Sequence, residues 1–220
     1  MPKLTLQSLC KEAATFSADQ SKTPEKSLFG VTDGKAVGTF LEHKFRDYLK
    51  SRYQFEQGSS ANGIDFPGLQ VDMKVTSVRQ PQSSCPFKSA RQKVYGLGYS
   101  LLVFVYDKTD DNRKKTATLK ILHTVFIEAE RTADYQTTRV LRQLLANDGN
   151  RDDIFAYLED SYLPLDEIGR RKLANEIFSN PPRQGFLTTP PIVRWQLPYS
   201  PAMERAGSEQ GVLKIHQASA

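Results

Sequence analysis

The stretch that decides the fold is GIDFPGLQVDMKV, residues 63–75. Pro67 followed by Gly68 is typical of a type II turn, because proline fixes φ and glycine tolerates the positive φ that such a turn requires. The residues on either side alternate between polar and apolar side chains, which is typical of half-buried strands. The stretch therefore predicts a β-hairpin whose strands cover 64–66 and 69–77.

The predicted hairpin separates its side chains into two faces. Directly opposed residues share a face, and so do residues two apart on one strand. With Asp65 opposite Gln70, one face carries Asp65, Gln70, Asp72 and Lys74. The other face carries only apolar side chains, namely Ile64, Phe66, Leu69, Val71, Met73 and Val75. A slip of one residue would mix the two sets, so the pattern supports the register.

The polar face suits phosphodiester chemistry. Asp65 and Asp72 would be diagonal neighbours, and two carboxylates lean together only around a cation because like charges repel. Oxygen ligands beside a phosphate predict Mg²⁺, with the backbone carbonyl of Met73 as a further ligand. Lys74 would orient the attacking water or help to deprotonate it. The alternative is an ordinary turn residue at Asp65 and a solvated strand face, because the pattern Asp-x-Lys is common.

The flanking sequence predicts an α/β fold with a mixed sheet flanked by helices. A short helix is expected near 4–16, and an apolar stripe at helical spacing predicts a longer one from Lys35 to about Tyr53, capped by Thr32 or Asp33. The continuous apolar run 99–106 predicts a strand buried on both faces. The remaining predicted elements are helices at 86–95, 134–147, 151–161 and 165–179 and strands at 117–129 and around 192–196.

These elements divide the chain into three parts. Residues 1–34 are predicted to be an N-terminal extension, and 35–130 the catalytic core. Residues 131–220 are predicted to be a helical and loop segment that packs on the core and carries DNA-specificity elements. Of the three histidines, His43 is expected to be exposed, His123 half-buried, and His216 in a loose tail.

Residues 35–107 resemble the PD-(D/E)xK nuclease superfamily, and most of all a type II restriction endonuclease. Asp65 matches the first acid of the motif, and Asp72-Met73-Lys74 matches (D/E)xK. The predicted order of helix, hairpin, helix and strand is similar to the family's core, and the short gap between the acids is similar to that of mismatch-repair nicking nucleases. Ile64 stands where the motif name has proline, a position that varies within the family.

The resemblance implies Mg²⁺-dependent, sequence-specific hydrolysis of double-stranded DNA that leaves a 5′-phosphate. The family often takes another acid from the first core helix, which implies a catalytic and metal-binding role for Glu42 at the edge of the apolar stripe. The alternative for Glu42 is a surface ion pair with Arg46. At the level of function, the alternatives are a repair or junction nuclease of the same fold and a DNA-binding protein without activity.

Basic and amide side chains that follow the catalytic strand are the candidates for DNA contacts. Cations would bind phosphates and amides would read base edges, although each residue fits a solvated helix face equally well. The candidates are Arg79, Gln80, Lys88, Arg91, Gln92 and Lys93.

Composition sets the remaining expectations. The net charge of +5 agrees with a polyanionic partner without identifying one. Two cysteines without metal-ligand spacing, and no signal peptide or membrane span, predict a protein of the cytoplasm. No phosphate-cradling GxxxxGK[ST] loop is present, so no ATP requirement is expected. A homodimer on a palindromic site is predicted, with a monomer that nicks each strand in turn as the alternative.

Overall fold

The architecture is a mixed β-sheet with helices around it, in a computed structural model that describes residues 1–56, 58, 63–79, 86–161, 163–188 and 199–218. Seven α-helices lie in the described residues: Leu6–Gln20 (α1), Gly34–Lys50 (α2), Ala90–Tyr95 (α3), Tyr135–Ala146 (α4), Arg151–Asp160 (α5), Glu167–Ser179 (α6) and Ser200–Arg205 (α7). The strands found there are Pro24–Glu25 (β1), Val71–Ser77 (β2), Ser100–Asp111 (β3), Thr116–Ile127 (β4) and Val212–Gln217 (β5).

The sheet is mixed, as the sequence predicts. β2 pairs with β3 in parallel, with Asp72 beside Leu101, and β3 pairs with β4 antiparallel. β1 and β5 both pair antiparallel with the opposite edge of β4. β2 is therefore the last strand of the path on its side of the sheet, and the acidic hairpin lies at that edge.

β3 is buried on both faces, which confirms the interpretation of its continuous apolar run. Leu102 and Phe104 pack in one core with residues of α1 and α2. Leu101 and Val103 point to the other face, into a second core that contains Phe186 and residues of α7. A third apolar cluster holds α3, α4, α5 and α6 together, so the predicted helical C-terminal segment is present.

α2 forms where the sequence predicts its first strong helix. The Asp33 side chain accepts hydrogen bonds from the backbone N–H groups of Lys35 and Ala36, which confirms one of the two predicted caps. Leu41 and Phe45 of its apolar stripe are completely buried, and Phe40 and Tyr48 are partly buried against the same core. The opposite side of α2 therefore remains available to line the region around the hairpin.

Two predicted helices are present with different bounds, and the prediction of a loose C-terminal tail was wrong. The helix expected over 86–95 begins only at Ala90, because the Ser89 side chain caps its N-terminus at Gln92. The helix expected near 4–16 extends to Gln20. The tail is not loose at His216, which lies in β5 opposite Thr124, and this strand pairs with the edge of the sheet at β4.

Other predictions stand differently. His43 is exposed and His123 is half-buried, as expected. The strand predicted around 192–196 lies outside the described residues. The division at 34 and 130 stays a prediction, and Phe16 of the N-terminal part packs in the same core as α2. Among the described residues no helix is long and apolar enough to cross a membrane.

Candidate active site

The acidic hairpin has a longer turn than the type II turn that Pro67 and Gly68 predict. Pro67–Leu69 is a turn of 3₁₀ helix, and Gln70 follows in the left-handed region with φ 53°. The Gln70 side chain donates to the Pro67 carbonyl, so it caps the turn and does not join the acidic face. Phe66 therefore pairs with Val71, and the predicted pairing of Phe66 with Leu69 was wrong.

The shift in register preserves the faces, because it changes the pairing by two residues. Asp65 therefore lies directly opposite Asp72, whereas a type II turn would make the two acids diagonal neighbours. Phe66 and Val71 are completely buried on the apolar side, as the pattern predicts. Asp65 Oδ2 accepts a hydrogen bond of 2.9 Å from the backbone N–H of Met73, which holds its carboxylate against β2.

Asp72 is a buried carboxylate with an incomplete set of partners. It is 3% exposed, and its Oδ2 atom accepts no hydrogen bond from the described residues. Lys74 Nζ lies 2.7 Å from Oδ2, outside hydrogen-bond angles, so the contact is an ion pair. The pKa of Asp72 is raised to about 6, chiefly by burial and also by Asp65, although Lys74 opposes the shift.

Lys74 remains cationic in this arrangement. Burial by itself lowers the pKa of an ammonium group, but the carboxylate of Asp72 outweighs that effect, and the pKa of Lys74 lies above its usual value. Its side chain is 43% exposed, so the head group reaches solvent as well as Asp72. A protonated Lys74 is a hydrogen-bond donor at the centre of the site and not a ready base.

Glu42 lies within electrostatic reach of the same group. Its pKa is raised to about 7, first by burial and then by the charge of Asp65, while Lys74 and Arg46 act in the opposite direction. Glu42 also lines the two cavities that contain Asp72 and Lys74. The predicted position at the seam between α2 and the hairpin is therefore the one that the structure shows.

Arg46 contacts the site in a way that the sequence does not predict. The sequence offers it as a surface partner of Glu42, but its Nη1 atom lies 3.7 Å from Asp65 Oδ1. Both side chains are largely buried, at 20% and 18% exposure. Arg46 lies one helical turn after Glu42, and this spacing is the only signal in the sequence that could have indicated it.

Two cavities meet at these residues. A cavity of about 440 Å³ is lined by Asp72 and Lys74 together with Tyr99 and Tyr199. A cavity of about 370 Å³ on the other side contains the carboxylate of Asp65 as well. Tyr199 is 9% exposed, and burial raises its pKa to about 12, so it stays neutral. Nothing in the sequence indicated Tyr199, which comes from the far end of the chain.

The residues present fit a hard divalent cation. The buried Asp72 Oδ2 atom lacks a hydrogen bond, and Asp65 faces it from the adjacent chain segment. The Met73 N–H points to Asp65, and because the N–H and C=O of one strand residue point the same way, its carbonyl points there too. Mg²⁺ needs only one or two carboxylates, with water and phosphate completing its coordination.

Glu42 does not complete a three-acid metal site in this arrangement. In the described ranges no group of three or more His, Cys, Asp or Glu side chains is placed to hold one metal ion together. Direct ligation by Glu42 therefore stays a prediction, and so do the roles of Asp65, Asp72, Met73 and Lys74.

Comparison with known proteins gives the family. The family model described as type II restriction enzyme NspV matches residues 3–214. A relative named type II restriction enzyme NspV, from Nostoc sp. (strain ATCC 29411 / PCC 7524), is 60% identical over 217 residues, which cover 99% of each chain. The chain belongs to the NspV family of type II restriction enzymes. No solved structure matches it significantly.

Membership of the NspV family confirms the resemblance to a type II restriction endonuclease. The chain is thus an enzyme of the site-specific deoxyribonuclease class, which acts on double-stranded DNA and generally uses a divalent metal. The match runs through the N-terminal and C-terminal parts as well as the hairpin, so all three parts of the chain belong to the enzyme's family pattern.

The predicted DNA contacts of this NspV-family chain lie in different settings. Lys88 lines the larger cavity. Arg79 is exposed but forms an ion pair with Asp107. Arg91 donates to both oxygens of Glu176 on α6.

The other three candidates show less. The side chain of Gln92 accepts from the backbone N–H of Lys88. Lys93 is half-buried on α3, and its backbone carbonyl accepts from Asp134. Gln80 lies outside the described residues. All six stay predictions for DNA binding.

Proposed function

We propose that this chain hydrolyses phosphodiester bonds of duplex DNA in a Mg²⁺-dependent reaction centred on Asp65, Asp72 and Lys74. The observation that carries the proposal is the buried, unbonded Oδ2 atom of Asp72, opposite Asp65 and in contact with an ammonium group. The ammonium group compensates this carboxylate only in part, because burial and the second acid both disfavour its charged form, and a divalent cation would complete the compensation.

Asp65, Asp72 and the Met73 carbonyl would hold the ion. Bound Mg²⁺ would supply neutralisation of the charge that develops on the phosphate and would make a coordinated water more acidic. Glu42 would contribute as a ligand, directly or through water. Arg46 already contacts Asp65 and would keep that carboxylate in place while the ion binds.

The protein's own groups would handle the proton and the phosphate. Glu42 has a pKa of about 7, which suits a group that accepts a proton from the attacking water near neutral pH. The ammonium of Lys74 would donate to the water or to a phosphate oxygen. The water oxygen forms the new bond to phosphorus, and the bond from phosphorus to the 3′ oxygen breaks. The 3′ oxygen takes a proton from solvent, which leaves a 5′-phosphate and a 3′-hydroxyl.

The DNA would lie across the hairpin edge of the sheet. Lys88, at the larger cavity, has the best placement among the predicted contacts, and Arg79 is held by an exposed ion pair that phosphate can replace. We also propose a homodimer, since a symmetric pair of active sites matches a palindrome, and a cytoplasmic location, where a restriction enzyme meets incoming DNA.

The test is cleavage of phage DNA with Mg²⁺ by the wild-type protein, Asp72→Asn and Lys74→Ala. We expect discrete fragments from wild type and a loss of at least about 100-fold in both variants. Asp152→Asn, a change of an exposed acid in the first turn of α5, is the matched control and should cleave like wild type.

Two results would contradict the proposal in different ways. Wild-type activity in Asp72→Asn would remove the site assignment, and a continuous smear of products would argue against sequence specificity. Circular dichroism separates loss of chemistry from loss of folding. Asp72→Asn should fold normally, because the substitution removes a buried charge that faces another acid.

A further inference from the structure

One face of α2 runs past the carboxylates from end to end. Lys35, Thr39 and Glu42 line the larger cavity, and Glu42 and Arg46 line the cavity around Asp65. A third cavity, of about 210 Å³, continues along Arg46 to Lys50. Glu42 lines the first and second cavities, and Arg46 lines the second and third, so the three cavities follow one another along the helix.

The residues that line these cavities occur at helical spacing. Steps of three or four residues keep them on one side of α2, away from the buried stripe. We call this set the α2 track; it consists of Lys35, Thr39, Glu42, Arg46 and Lys50.

The charges of the α2 track are arranged for a chain of phosphates. Its only acid, Glu42, lies in the middle beside Asp65 and Asp72, and cations or a hydroxyl group lie on both sides. Lys35, Thr39 and Lys50 are exposed. Asp47 forms an ion pair with Lys50 at 3.1 Å, but both side chains are well exposed, and such a pair contributes little that a phosphate could not replace.

We propose that the α2 track lies along one DNA strand, with the scissile phosphate at Glu42 and the flanking phosphates held by Lys35 on one side and by Arg46 and Lys50 on the other. This inference rests on the proposed function, because it takes the carboxylates as the point of cleavage. It assigns the DNA backbone contacts to the first core helix, in addition to the candidates that follow β2.

The length of the α2 track agrees with this role. From Lys35 to Lys50 the helix rises about 22 Å, at roughly 1.5 Å per residue. Duplex DNA rises about 3.4 Å per base pair along its axis, so a track of this length reaches past the scissile phosphate to neighbouring phosphates on both sides. Arg46 can serve a flanking phosphate and Asp65 in turn, since its contact with Asp65, at 3.7 Å, is longer than a hydrogen bond.

Salt dependence of binding tests the α2 track without any cleavage. Each phosphate that a protein neutralises on duplex DNA contributes about 0.9 to the slope of log K against log salt concentration. The protein is titrated onto a short labelled duplex in EDTA at several salt concentrations, and Lys35→Gln and Lys50→Gln are compared with wild type. Both residues are exposed, so neither substitution threatens folding.

We expect each variant to lower the magnitude of the slope by about 0.9, and the double variant by about 1.8. Lys44→Gln is the matched control, because Lys44 lies on the same helix, about 200° from Glu42, and pairs with Glu25. Its slope should equal that of wild type.

The failures of the two proposals are distinguishable. Unchanged slopes in Lys35→Gln and Lys50→Gln would overturn the α2 track, while loss of cleavage in Asp72→Asn would still support the active site. An equal drop in Lys44→Gln would show that the effect comes from net charge alone and would also overturn it. Normal cleavage by Asp72→Asn would remove the active site on which the α2 track depends.

Discussion

The chemistry of single residues here depends on how burial opposes charge. Asp72 and Glu42 are acids that the fold keeps from water, and the pKa of each rises for that reason first. Two cations offset part of the unfavourable charge in the site: Lys74 contacts Asp72, and Arg46 contacts Asp65. In the proposed function a divalent ion would bind here favourably, because its charge would compensate the acids more strongly than the two cations do.

Glu42 makes the stability of the metal-free protein depend on pH. Its pKa is about 7 in the folded protein against a usual 4.5, so the folded protein holds this proton more tightly than the unfolded chain does. The free energy of unfolding therefore has its full value below pH 4.5 and falls as the pH rises through about 7. Glu42→Gln removes this fall. We expect the free energy of unfolding of the variant, relative to that of wild type, to be higher at about pH 8 than at about pH 4 by on the order of 2 kcal/mol.

Urea unfolding in EDTA at both pH values measures the gain. Glu167→Gln is the control, because Glu167 is exposed and forms a surface ion pair within α6. Glu167→Gln should keep the pH dependence of wild type. If Glu42→Gln keeps it as well, the raised pKa of Glu42 is wrong.

At the scale of elements, the hairpin shows which part of a sequence pattern is robust. Proline at 67 and glycine at 68 indicate a turn, but the type of turn depends on how many residues join it, and here Leu69 and Gln70 do. The faces survived this error because side chains alternate with a period of two. Placement of Asp65 beside Asp72 therefore needed the alternation and not the type of turn.

The link between α3 and β3 offers a test at the same scale. Gly96 has φ 95°, and a Cβ atom there would lie 2.6 Å from the Ala129 carbonyl oxygen. Gly98 has φ 88° with open space around it. We expect Gly98→Ala to destabilise the protein by about 1 kcal/mol through backbone strain alone, and Gly96→Ala by about 2–4 kcal/mol through strain and steric overlap.

Thermal unfolding of the two variants checks this difference. Equal destabilisation would mean that the close approach of Gly96 to Ala129 carries no weight. The comparison matters for function because Tyr99, which lines the larger cavity, follows directly after this link.

At the scale of the whole molecule, the site is assembled from distant parts of the chain. Glu42 comes from α2 and Asp72 from the hairpin. Tyr199, the residue before α7, also lines the larger cavity. The strand β5, close to the C-terminus, pairs with β4 on the side of the sheet away from the hairpin. The fold thus uses both ends of the chain to support a site that lies near one edge.

Metal binding should stabilise the whole protein. A ligand that binds only the folded state adds about 2.7 kcal/mol at 100 times its dissociation constant. We expect Mg²⁺, titrated to saturation without DNA, to raise the melting temperature of wild type but not of Asp72→Asn. In EDTA the order reverses, and Asp72→Asn is the more stable protein because it lacks the buried charge.

Differential scanning calorimetry with and without EDTA measures both effects. The control is Asp152→Asn, which should show the same shift with Mg²⁺ as wild type. A shift of wild-type size in Asp72→Asn would show that the ion binds elsewhere.

The sequence by itself determined the central strand, the first core helix with a cap at Thr32 or Asp33, the three helices that follow β4, and the acidic face of the hairpin. All of these depend on local periodicity and on caps, which act over a few residues. The resemblance of the motif around Asp65 and Asp72 to a nuclease centre was also legible at this level, and family membership confirms the class of enzyme.

Only the tertiary structure decided the rest. It set Asp65 directly opposite Asp72, turned Arg46 from a partner of Glu42 into a partner of Asp65, and brought Tyr199 beside Lys74. It also showed β5, whose burial is too partial to leave a clear pattern. These features depend on contacts between residues far apart in the chain, and such contacts follow from packing of the whole sheet and its helices, which no local pattern records.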